Sequence, residues 1–431
     1  MLGSGRPCTP RTSIEKENHA KEKKGKEEEI IFLIKQKREN CKVSLFLFAL
    51  PVQACVTIAI FYGIMFFMPK KKKKVFVGMS GGVDSSVTAA LLKKAGFEVV
   101  GIYMKCWVEG VACTTPEDER SARLAAQHLG IPFYVWSFLS EYKEKVVEYM
   151  LKGYRQGITP NPDIMCNREV KFGMFFEKAM KLGADYIATG HYARLWREAP
   201  NLKSSLYGRS PEGRQIPNVK ILKAKDPNKD QSYFLAMVKP EVLDKVLFPI
   251  GEYTKPQVRT FAKKIGLPNA ERKDSQGICF VGKVEIGDFL RLHIPQKEGV
   301  IVSAEGEVLG KHDGAHYYTL GQRQGLRLAG GPYYVAKKDI ATNTLQVTKQ
   351  EEDMMKEKFQ VKGMNWFSPL QNKTNVSAKF RYRQKDVPVE IEVLKDGSVR
   401  VVPEVSQRAI TPGQFAVFYQ EDELLGGGVI V

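Results

Sequence analysis

The sequence predicts an α/β domain with a doubly wound parallel sheet, followed by a small, mostly β central domain and a C-terminal β-barrel. Three patterns in the 431-residue chain support this prediction. From Val75 onward, short apolar runs alternate with helical stretches, which is typical of strand–helix–strand units. Helical character fades after Gly282, and short strands broken by glycine turns then continue to the end. The predicted domains are residues 75–282, 283–350 and 355–431.

The first strand, turn and helix are the clearest elements. VFVGM, which begins at Val75, is a short apolar run suited to a buried parallel strand. SGGVDSS is the turn, and VTAALLKKAG has apolar residues three and four apart before Gly96 ends the helix. FEVVGIYMKCW and IPFYVWSF predict the next two strands, with a helix over 116–129 between them. The ligand of such a sheet is expected at the carboxyl ends of its strands.

The two later domains are predicted from alternation and turn signals. Residues 283–350 contain short apolar runs separated by AEGE, HDGA and AGGP, which favours a small β domain. Residues 355–431 continue with alternating strands such as VEIEVL and GSVRVVP, and a closed barrel is the expected form.

The net charge of +18 indicates a polyanionic partner, of which nucleic acid is the natural candidate. Residues 1–74 hold 16 Lys and Arg against 7 Glu, so half of the excess lies in this extension. The remaining +9 still suits a surface that neutralises phosphates. A generic soluble surface explains the same total equally well. The hydrophobic content of 43% is typical of a soluble globular protein.

The seven cysteines are scattered, and no two have CxxC spacing. This pattern disfavours a zinc ribbon and a dense disulfide framework, so no metal site is predicted. It fits a reducing compartment, where one or two thiols are reactive and the others pack. The cysteines are Cys8, Cys41, Cys55, Cys106, Cys113, Cys166 and Cys279.

The extension contains an apolar segment. Residues 43–68 have no charge over 26 positions, which is long enough to span a bilayer, and five lysines follow at 70–74. Met68 directly precedes PKKKKKVFVGMSGG, a natural start for a soluble enzyme. We therefore expect a translated leader or a wrongly chosen start, with a membrane anchor as the alternative. A cytoplasmic protein without an obligate membrane partner is expected.

The SGGVDSS turn is suited to hold phosphate. Gly81 and Gly82 let the backbone bend closely around an anion, and free amides at the helix start then point toward it. Three serine hydroxyls add donors. The common P-loop is excluded because Asp84 and Ser85 stand where that motif has its lysine. A purely structural glycine turn is the alternative. The segment resembles the SGGxDS signature of the PP-loop pyrophosphatase superfamily (adenine nucleotide alpha hydrolase-like fold), whose members use ATP to adenylate an oxygen and expel pyrophosphate.

Cys166 lies in GITPNPDIMCNREVKFG, residues 157–173. The prolines at 160 and 162 disfavour helix up to that point, which predicts an irregular loop or a helix start around this thiol. A helix start with basic residues nearby would lower its pKa and improve it as a nucleophile. Asp163 could act as an acid or base, or could cap the helix.

Cys279 lies in RKDSQGICFVG, a polar loop that runs into a short apolar strand. A buried structural cysteine is the more frequent role in such a place. The neighbouring Arg272 and Lys273 argue modestly for an activated thiol. Cys106 and Cys113 have no comparable surroundings and are interpreted as packing residues.

Six motifs in a fixed order make the resemblance specific. SGGVDSS, NPDIMCN, TGHYAR, KDQSYFL, DSQGICF and YTLGQRQGL resemble the tRNA-specific 2-thiouridylase family from about Val75 to the carboxyl terminus. The resemblance implies replacement of the C2 oxygen of a wobble uridine by sulfur, with ATP, as its Mg²⁺ complex, adenylating that oxygen. It also implies that Cys279 receives a persulfide from a donor or relay protein. Cys166 is then the second catalytic thiol, the two form a disulfide, and Asp163 moves protons.

The resemblance also implies two sets of binding residues. The ATP positions are Gly78, Met79, Ser80, Gly81, Gly82, Val83, Asp84, Ser85, Met104 and Gly190. The tRNA positions are Asn161, Pro162, Asp163, His191, Lys229, Asp230, Gln231, Arg381, Tyr382 and Gln414. GQRQGL, residues 321–326, is expected to shape the tRNA groove.

Several alternatives stay open at this point. From the residues alone, His191 is favoured as a helix cap or a buried hydrogen-bonding histidine. In AKFRYRQ, strand alternation would place Arg381 and Arg383 on one face that grips the RNA backbone, or that is merely solvated. The rival functions are another PP-loop tRNA-modifying transferase and an inactive RNA-binding or sulfur-carrier relative. The first does not explain two motif cysteines, and the second is disfavoured because the motif residues are present.

Overall fold

The computed structural model describes residues 72–106, 116–197, 219–273, 286–368 and 373–431. Within these ranges no helix is long and apolar enough to cross a membrane. The apolar segment 43–68 and Cys279 lie outside the described residues.

A five-stranded sheet forms the centre of the first domain, in the order β3-β2-β1-β4-β7. All four of its strand pairings are parallel, which confirms the predicted α/β class. The chain runs outward from β1 in one direction through β2 and β3, and in the other through β4 and β7. A crevice therefore opens between the carboxyl ends of β1 and β4. The strands of this domain are β1 (Lys74–Gly78), β2 (Glu98–Lys105), β3 (Phe133–Ser137), β4 (Tyr186–Thr189), β5 (Arg194–Arg197), β6 (Val219–Leu222) and β7 (Val246–Leu247).

The described helices lie around this sheet and in the connection to the central domain. Two of the connections between helices are π-helical, at Lys143–Val147 and Cys166–Met174. Four short 3₁₀ turns are at Ser232–Leu235, Pro240–Lys245, Ala315–Tyr317 and Glu352–Met354. The α-helices are α1 (Val83–Lys94), α2 (Pro116–His128), α3 (Leu139–Tyr142), α4 (Glu148–Arg155), α5 (Pro162–Met165), α6 (Phe175–Lys181), α7 (Lys255–Lys264) and α8 (Ile286–His293).

The sheet separates two apolar cores because successive strand residues point to opposite faces. Val75 and Val77 pack on one face together with residues of α1, α2 and α7. Phe76 packs on the other face, in the core that also contains Phe175 and Cys166. Burial on both faces explains why β1 and β2 are nearly continuous apolar runs.

The central domain contains a four-stranded sheet in the order β10-β11-β8-β9. Its one parallel pairing joins β11 to β8, and the others are antiparallel. Ile301, Val335 and Leu345 form its small core. The strands are β8 (Gly299–Val302), β9 (Val308–His312), β10 (Tyr334–Asp339) and β11 (Thr344–Thr348).

The last domain is a barrel in the order β13-β16-β15-β14-β18-β19, closed by the pairing of β13 with β19. The predicted barrel is thereby confirmed. β5 and β6 of the first domain extend this sheet, since Leu222 pairs with Glu423. The strands are β12 (Met355–Lys356), β13 (Phe359–Trp366), β14 (Lys373–Lys379), β15 (Val387–Val393), β16 (Val399–Pro403), β17 (Gln407–Arg408), β18 (Phe415–Gln420) and β19 (Glu423–Ile430).

Two local predictions are wrong. Arg381 and Arg383 do not alternate along a strand, because β14 ends at Lys379 and both arginines lie in the following turn. Arg383 has the left-handed φ of 65° that a strand does not allow. The prolines at 160 and 162 do not prevent helix before Cys166 either, since α5 lies there. It begins at Pro162, because proline lacks only an amide that the first helical position leaves unbonded.

Candidate nucleotide and thiol site

The turn between β1 and α1 has one packed glycine and one open glycine. Gly81 has φ +83°, and a Cβ there would lie 2.3 Å from the carbonyl oxygen of Asp118. Gly82 caps α1 without a side-chain hydrogen bond, and a Cβ there would approach only the Ser80 hydroxyl, at 3.5 Å. The first amides of α1 are thus left for a ligand, on the side where the turn has space.

Serine hydroxyls hold the turn in shape. The Ser85 hydroxyl donates to the Gly82 carbonyl at 3.1 Å and accepts from the Ser80 amide at 3.2 Å. The Ser86 hydroxyl donates to the same carbonyl at 3.2 Å. These bonds pre-form the curvature that phosphate binding requires.

Distant residues fix the position of the turn. The Gly81 carbonyl accepts from the Ser121 hydroxyl at 2.7 Å and from the Asn269 amide group at 2.9 Å. Arg272 also approaches this carbonyl, at 3.5 Å, and forms an ion pair with Asp118 of α2. The turn is therefore attached to α2 and to the segment after α7.

The negative charge of Asp84 is paired with a positive charge inside the protein. Its carboxylate accepts two hydrogen bonds from the Lys255 ammonium, at 2.8 and 2.9 Å, and one from the Tyr192 hydroxyl at 2.9 Å. Lys255 is only 8% exposed and is the first residue of α7. A paired carboxylate repels an incoming phosphate less than a bare one does. Neither partner of Asp84 is predicted from the sequence, although Tyr192 lies within the TGHYAR motif.

The remaining predicted ATP residues surround this turn. A Cβ on Gly190 would lie 2.7 Å from the Ser85 amide nitrogen, so the chain after β4 packs directly on the turn. A Cβ on Gly78 would lie 3.0 Å from the terminal methyl of Met104, at the end of β2. The structure therefore brings the ends of β1, β2 and β4 together at the crevice.

Cys166 lies one turn into the helix that begins at Pro162. Asn161 caps this helix by accepting from the Ile164 amide at 3.2 Å, so the cap is Asn161 and not Asp163. The Asn167 side chain donates to the Asp163 carbonyl at 3.0 Å. Cys166 is fully buried, in the same apolar core as Met104. In this conformation solvent does not reach the thiol.

His191 is buried beside the site. Its Nδ1 shares a hydrogen bond with the Thr189 hydroxyl at 2.7 Å, and its ring lies 5.7 Å from Phe172 and 5.9 Å from Phe248. Burial, assisted by the nearby charge of Lys171, holds the pKa of His191 well below its usual range. The ring is therefore neutral at physiological pH, as in a buried hydrogen-bonding histidine.

Two of the predicted tRNA residues bond mainly within the protein. Asp230 is buried and accepts from the Ser232 hydroxyl at 2.9 Å and from Lys379 of the barrel at 3.4 Å. Gln231 forms two hydrogen bonds with Tyr192, at 2.8 and 3.0 Å. The bond between Asp230 and Lys379 links the first domain to the barrel, whereas the Gln231 bonds stay within the first domain. The adjacent Lys229 is partly exposed.

The barrel residues of this set lie at the same interface. Tyr382 packs on Phe234, with the ring centroids 4.4 Å apart. Arg381 donates to the Ala409 carbonyl at 2.6 Å, and Gln414 donates to the Thr159 carbonyl at 2.8 Å. Arg381 stays exposed beside these contacts.

A parallel sheet with an SGGVDS turn at its crevice, joined to two β domains, defines a PP-loop nucleotide-binding enzyme. Three family models match consecutive parts of the chain. Residues 73–283 match the tRNA methyl transferase HUP domain, 287–349 the tRNA methyl transferase PRC-barrel domain, and 356–430 the aminomethyltransferase beta-barrel domain.

The chain belongs to the tRNA-specific 2-thiouridylase family. It is 44% identical over 366 residues to tRNA-specific 2-thiouridylase MnmA of Geobacillus thermodenitrificans, covering 83% of this chain and 94% of the relative. It is 46% identical to the enzyme of that name from Lysinibacillus sphaericus, with the same coverage. Although two models are described as methyl transferase domains, the matches to nearly full-length relatives decide the family. A solved NMN synthetase from Francisella tularensis is similar at only 13% identity and a TM-score of 0.29, covering 54% of this chain and 76% of that one.

Proposed function

We infer that the chain is an ATP-dependent tRNA-uridine 2-sulfurtransferase, as its family membership implies. One structural observation supports this most directly. A turn with an open glycine lies at the sheet crevice, and the core that contains Cys166 reaches its start, because Phe175 of that core would lie 3.8 Å from a Cβ on Gly78. Neither rival function is favoured by the relatives, which are named as thiouridylases.

The turn fits the phosphates of ATP. Gly82 faces open space, the first amides of α1 have no side-chain cap, and the nearby carboxylate of Asp84 is paired with Lys255. We propose that the predicted positions from Gly78 to Ser85, with Met104 and Gly190, bind this nucleotide. A Mg²⁺ ion accompanying ATP would be held mainly by phosphate oxygens and water.

The target uridine must leave the anticodon stack to reach this crevice, at a cost of a few kcal/mol. We propose that Asn161, Pro162 and Asp163 receive the base. Arg381 and Lys229 are exposed or partly exposed cations near the interface of barrel and first domain, where they suit phosphate contacts. Asp230 is buried and would act on tRNA by holding that interface through its bond to Lys379, and the buried His191 would act by packing against Phe172 and Phe248 beside the site.

The proposed reaction exchanges one oxygen atom for one sulfur atom. The C2 oxygen of the uridine attacks the α-phosphorus of ATP, and pyrophosphate leaves. The outer sulfur of a Cys279 persulfide then attacks C2, and the C2–O bond breaks to release AMP. The Cys166 thiolate attacks the inner sulfur of Cys279, and the electron pair of the S–S bond stays on the sulfur bound to C2. The result is 2-thiouridine and a Cys166–Cys279 disulfide, which cellular thiols reduce.

This scheme needs a persulfide donor, which must reach Cys279, and a reducing compartment that resets the disulfide. A cytoplasmic location is therefore part of the proposal. Cys166 must also become accessible during the cycle, since its thiol is buried in the described conformation.

The test is a reaction with ATP, a small-molecule persulfide and unmodified tRNA, followed by mass spectrometry of the nucleosides. We expect 2-thiouridine with one pyrophosphate released per product. Cys166→Ser and Cys279→Ser should each abolish the product while ATP binding is kept, and Cys113→Ser, a matched control, should keep it. Full activity in both of the first two variants would remove the proposal.

A further inference from the structure

Thr159 connects the first domain to both later domains at one point. Its amide donates to the Pro412 carbonyl at 2.9 Å, and its carbonyl accepts from the Gln414 side chain at 2.8 Å. Its hydroxyl shares a hydrogen bond of 3.2 Å with the hydroxyl of Thr319 in the central domain. Thr159 is 7% exposed, so these three bonds replace its contacts with water.

Close packing on either side shows that this junction is sterically specific. A Cβ on Gly157, where φ is +78°, would lie 2.4 Å from the Ile340 side chain of the central domain. A Cβ on Gly413, where φ is +90°, would lie 3.0 Å from the Thr159 backbone. Both glycines therefore permit a close approach that a residue with a Cβ would strain.

The junction lies directly before the proposed reactive segment. Asn161, two residues after Thr159, caps the helix that carries Asp163 and then Cys166. Two residues of chain span at most about 7 Å, so a displacement of Thr159 passes directly into the start of α5. A shift of about 1 Å in reacting groups is enough to slow a reaction by roughly 100-fold.

We propose that Thr159 is a positioning residue for sulfur transfer, which holds the start of α5 in place through its bonds to Thr319, Pro412 and Gln414. This inference rests on the proposed function. The central domain and the barrel then contribute to the chemistry by fixing this segment, in addition to any contact they make with tRNA.

The experiment removes the hydroxyls singly and together. Thr159→Val and Thr319→Val keep the shape of each side chain, Thr159→Ser restores the hydroxyl, and exposed Thr260→Val is the control. We expect each valine variant at the junction to lower kcat about fivefold, the value of one typical hydrogen bond, without changing KM for tRNA or the affinity for ATP. The double variant should be no slower than either single one, because both changes break the same bond.

Hydrogen exchange of the amides of Asn161 and of residues 163–166 gives a readout that does not need turnover, since Pro160 and Pro162 have no amide hydrogen. It should be faster in both valine variants and normal in Thr159→Ser and Thr260→Val. Three results would each overturn the proposal. The two valine variants could keep both kcat and the exchange rates of the parent, the double variant could show additive losses, or KM alone could rise. If the parent enzyme without substitutions forms no 2-thiouridine, the proposed function fails. The exchange rates then still decide whether Thr159 holds the start of α5.

Discussion

The phosphate turn and the Thr159 junction are two solutions to holding a piece of irregular backbone. In the turn, Ser80, Ser85 and Ser86 bond mainly to backbone or hydroxyl groups no more than five positions away along the chain, although the Ser86 hydroxyl also accepts from the distant Asn269 at 3.0 Å. In the junction, Thr159 bonds to residues 160 and 255 positions away. The turn thus takes its curvature mainly from its own residues, while distant residues fix its position, whereas the junction is held by two other domains.

This difference explains which of the two is visible in the sequence. A turn that supplies its own bonds must contain particular residues at fixed spacing, and those residues form a motif. A segment held from outside needs only a threonine that the other domains can reach. We therefore expect a single substitution at the turn to reduce activity strongly. Removal of one contact in the junction should have a smaller effect on activity.

The largest effect is expected at Gly190. In Gly190→Ala the new methyl group would lie 2.7 Å from the Ser85 amide nitrogen and would displace the turn. We expect 2-thiouridine formation to fall about 100-fold or more through weaker ATP binding, with tRNA affinity unchanged. Equilibrium binding of ATP and of tRNA checks this. Gly287→Ala in α8, where a methyl group meets little, is the control, and normal ATP binding by Gly190→Ala would contradict the comparison.

A smaller effect is expected at Gln414. Gln414→Met removes the donor to the Thr159 carbonyl but keeps most of the side-chain volume. We expect the rate of sulfur transfer under saturating tRNA to fall about fivefold, with tRNA affinity unchanged. Single-turnover kinetics and tRNA binding check this, with exposed Gln420→Met as the control. Weaker tRNA binding at an unchanged rate would instead support the direct tRNA contact that the resemblance implies.

The smallest expected effect is on the pH dependence of folding stability, at Lys338, which lies beside Thr319 of the junction. The Lys338 ammonium donates to the Tyr318 carbonyl at 2.7 Å, next to Thr319, and burial lowers the pKa of Lys338 to about 8. The unfolded chain keeps the ordinary pKa of 10.5, so between pH 8 and 10.5 it binds more protons and stability rises with pH. Below pH 8 the buried charge costs stability in full.

Lys338→Met should therefore stabilise the protein by roughly 1 kcal/mol at pH 7, after the lost hydrogen bond is subtracted. This gain should disappear as the pH rises to 10.5. Thermal unfolding of variant and parent at both pH values checks the difference, with the exposed neighbour in Lys337→Met as the control. A gain of equal size at both pH values would show that charge burial is not its cause.

The features that the sequence predicts correctly are those with a local physical cause. The alternation of apolar runs and helices predicted the parallel sheet, and glycine and serine spacing predicted the turn between β1 and α1. The predicted strand alternation at Arg381 and Arg383 is wrong, because a turn and the end of a short strand have similar compositions. The role of Lys255 is not predicted either, since nothing in the sequence near α7 shows that its ammonium reaches Asp84, 171 positions earlier in the chain.

By itself the sequence determined the fold class, the PP-loop chemistry and the family, because these depend on spacing between neighbouring residues. Only the tertiary structure decided that Asp84 is paired, that His191 is neutral and buried, and that Thr159 is held by two other domains. The physical reason is that burial and long-range hydrogen bonds arise from the packing of segments far apart in the chain. No single segment of the sequence records that packing.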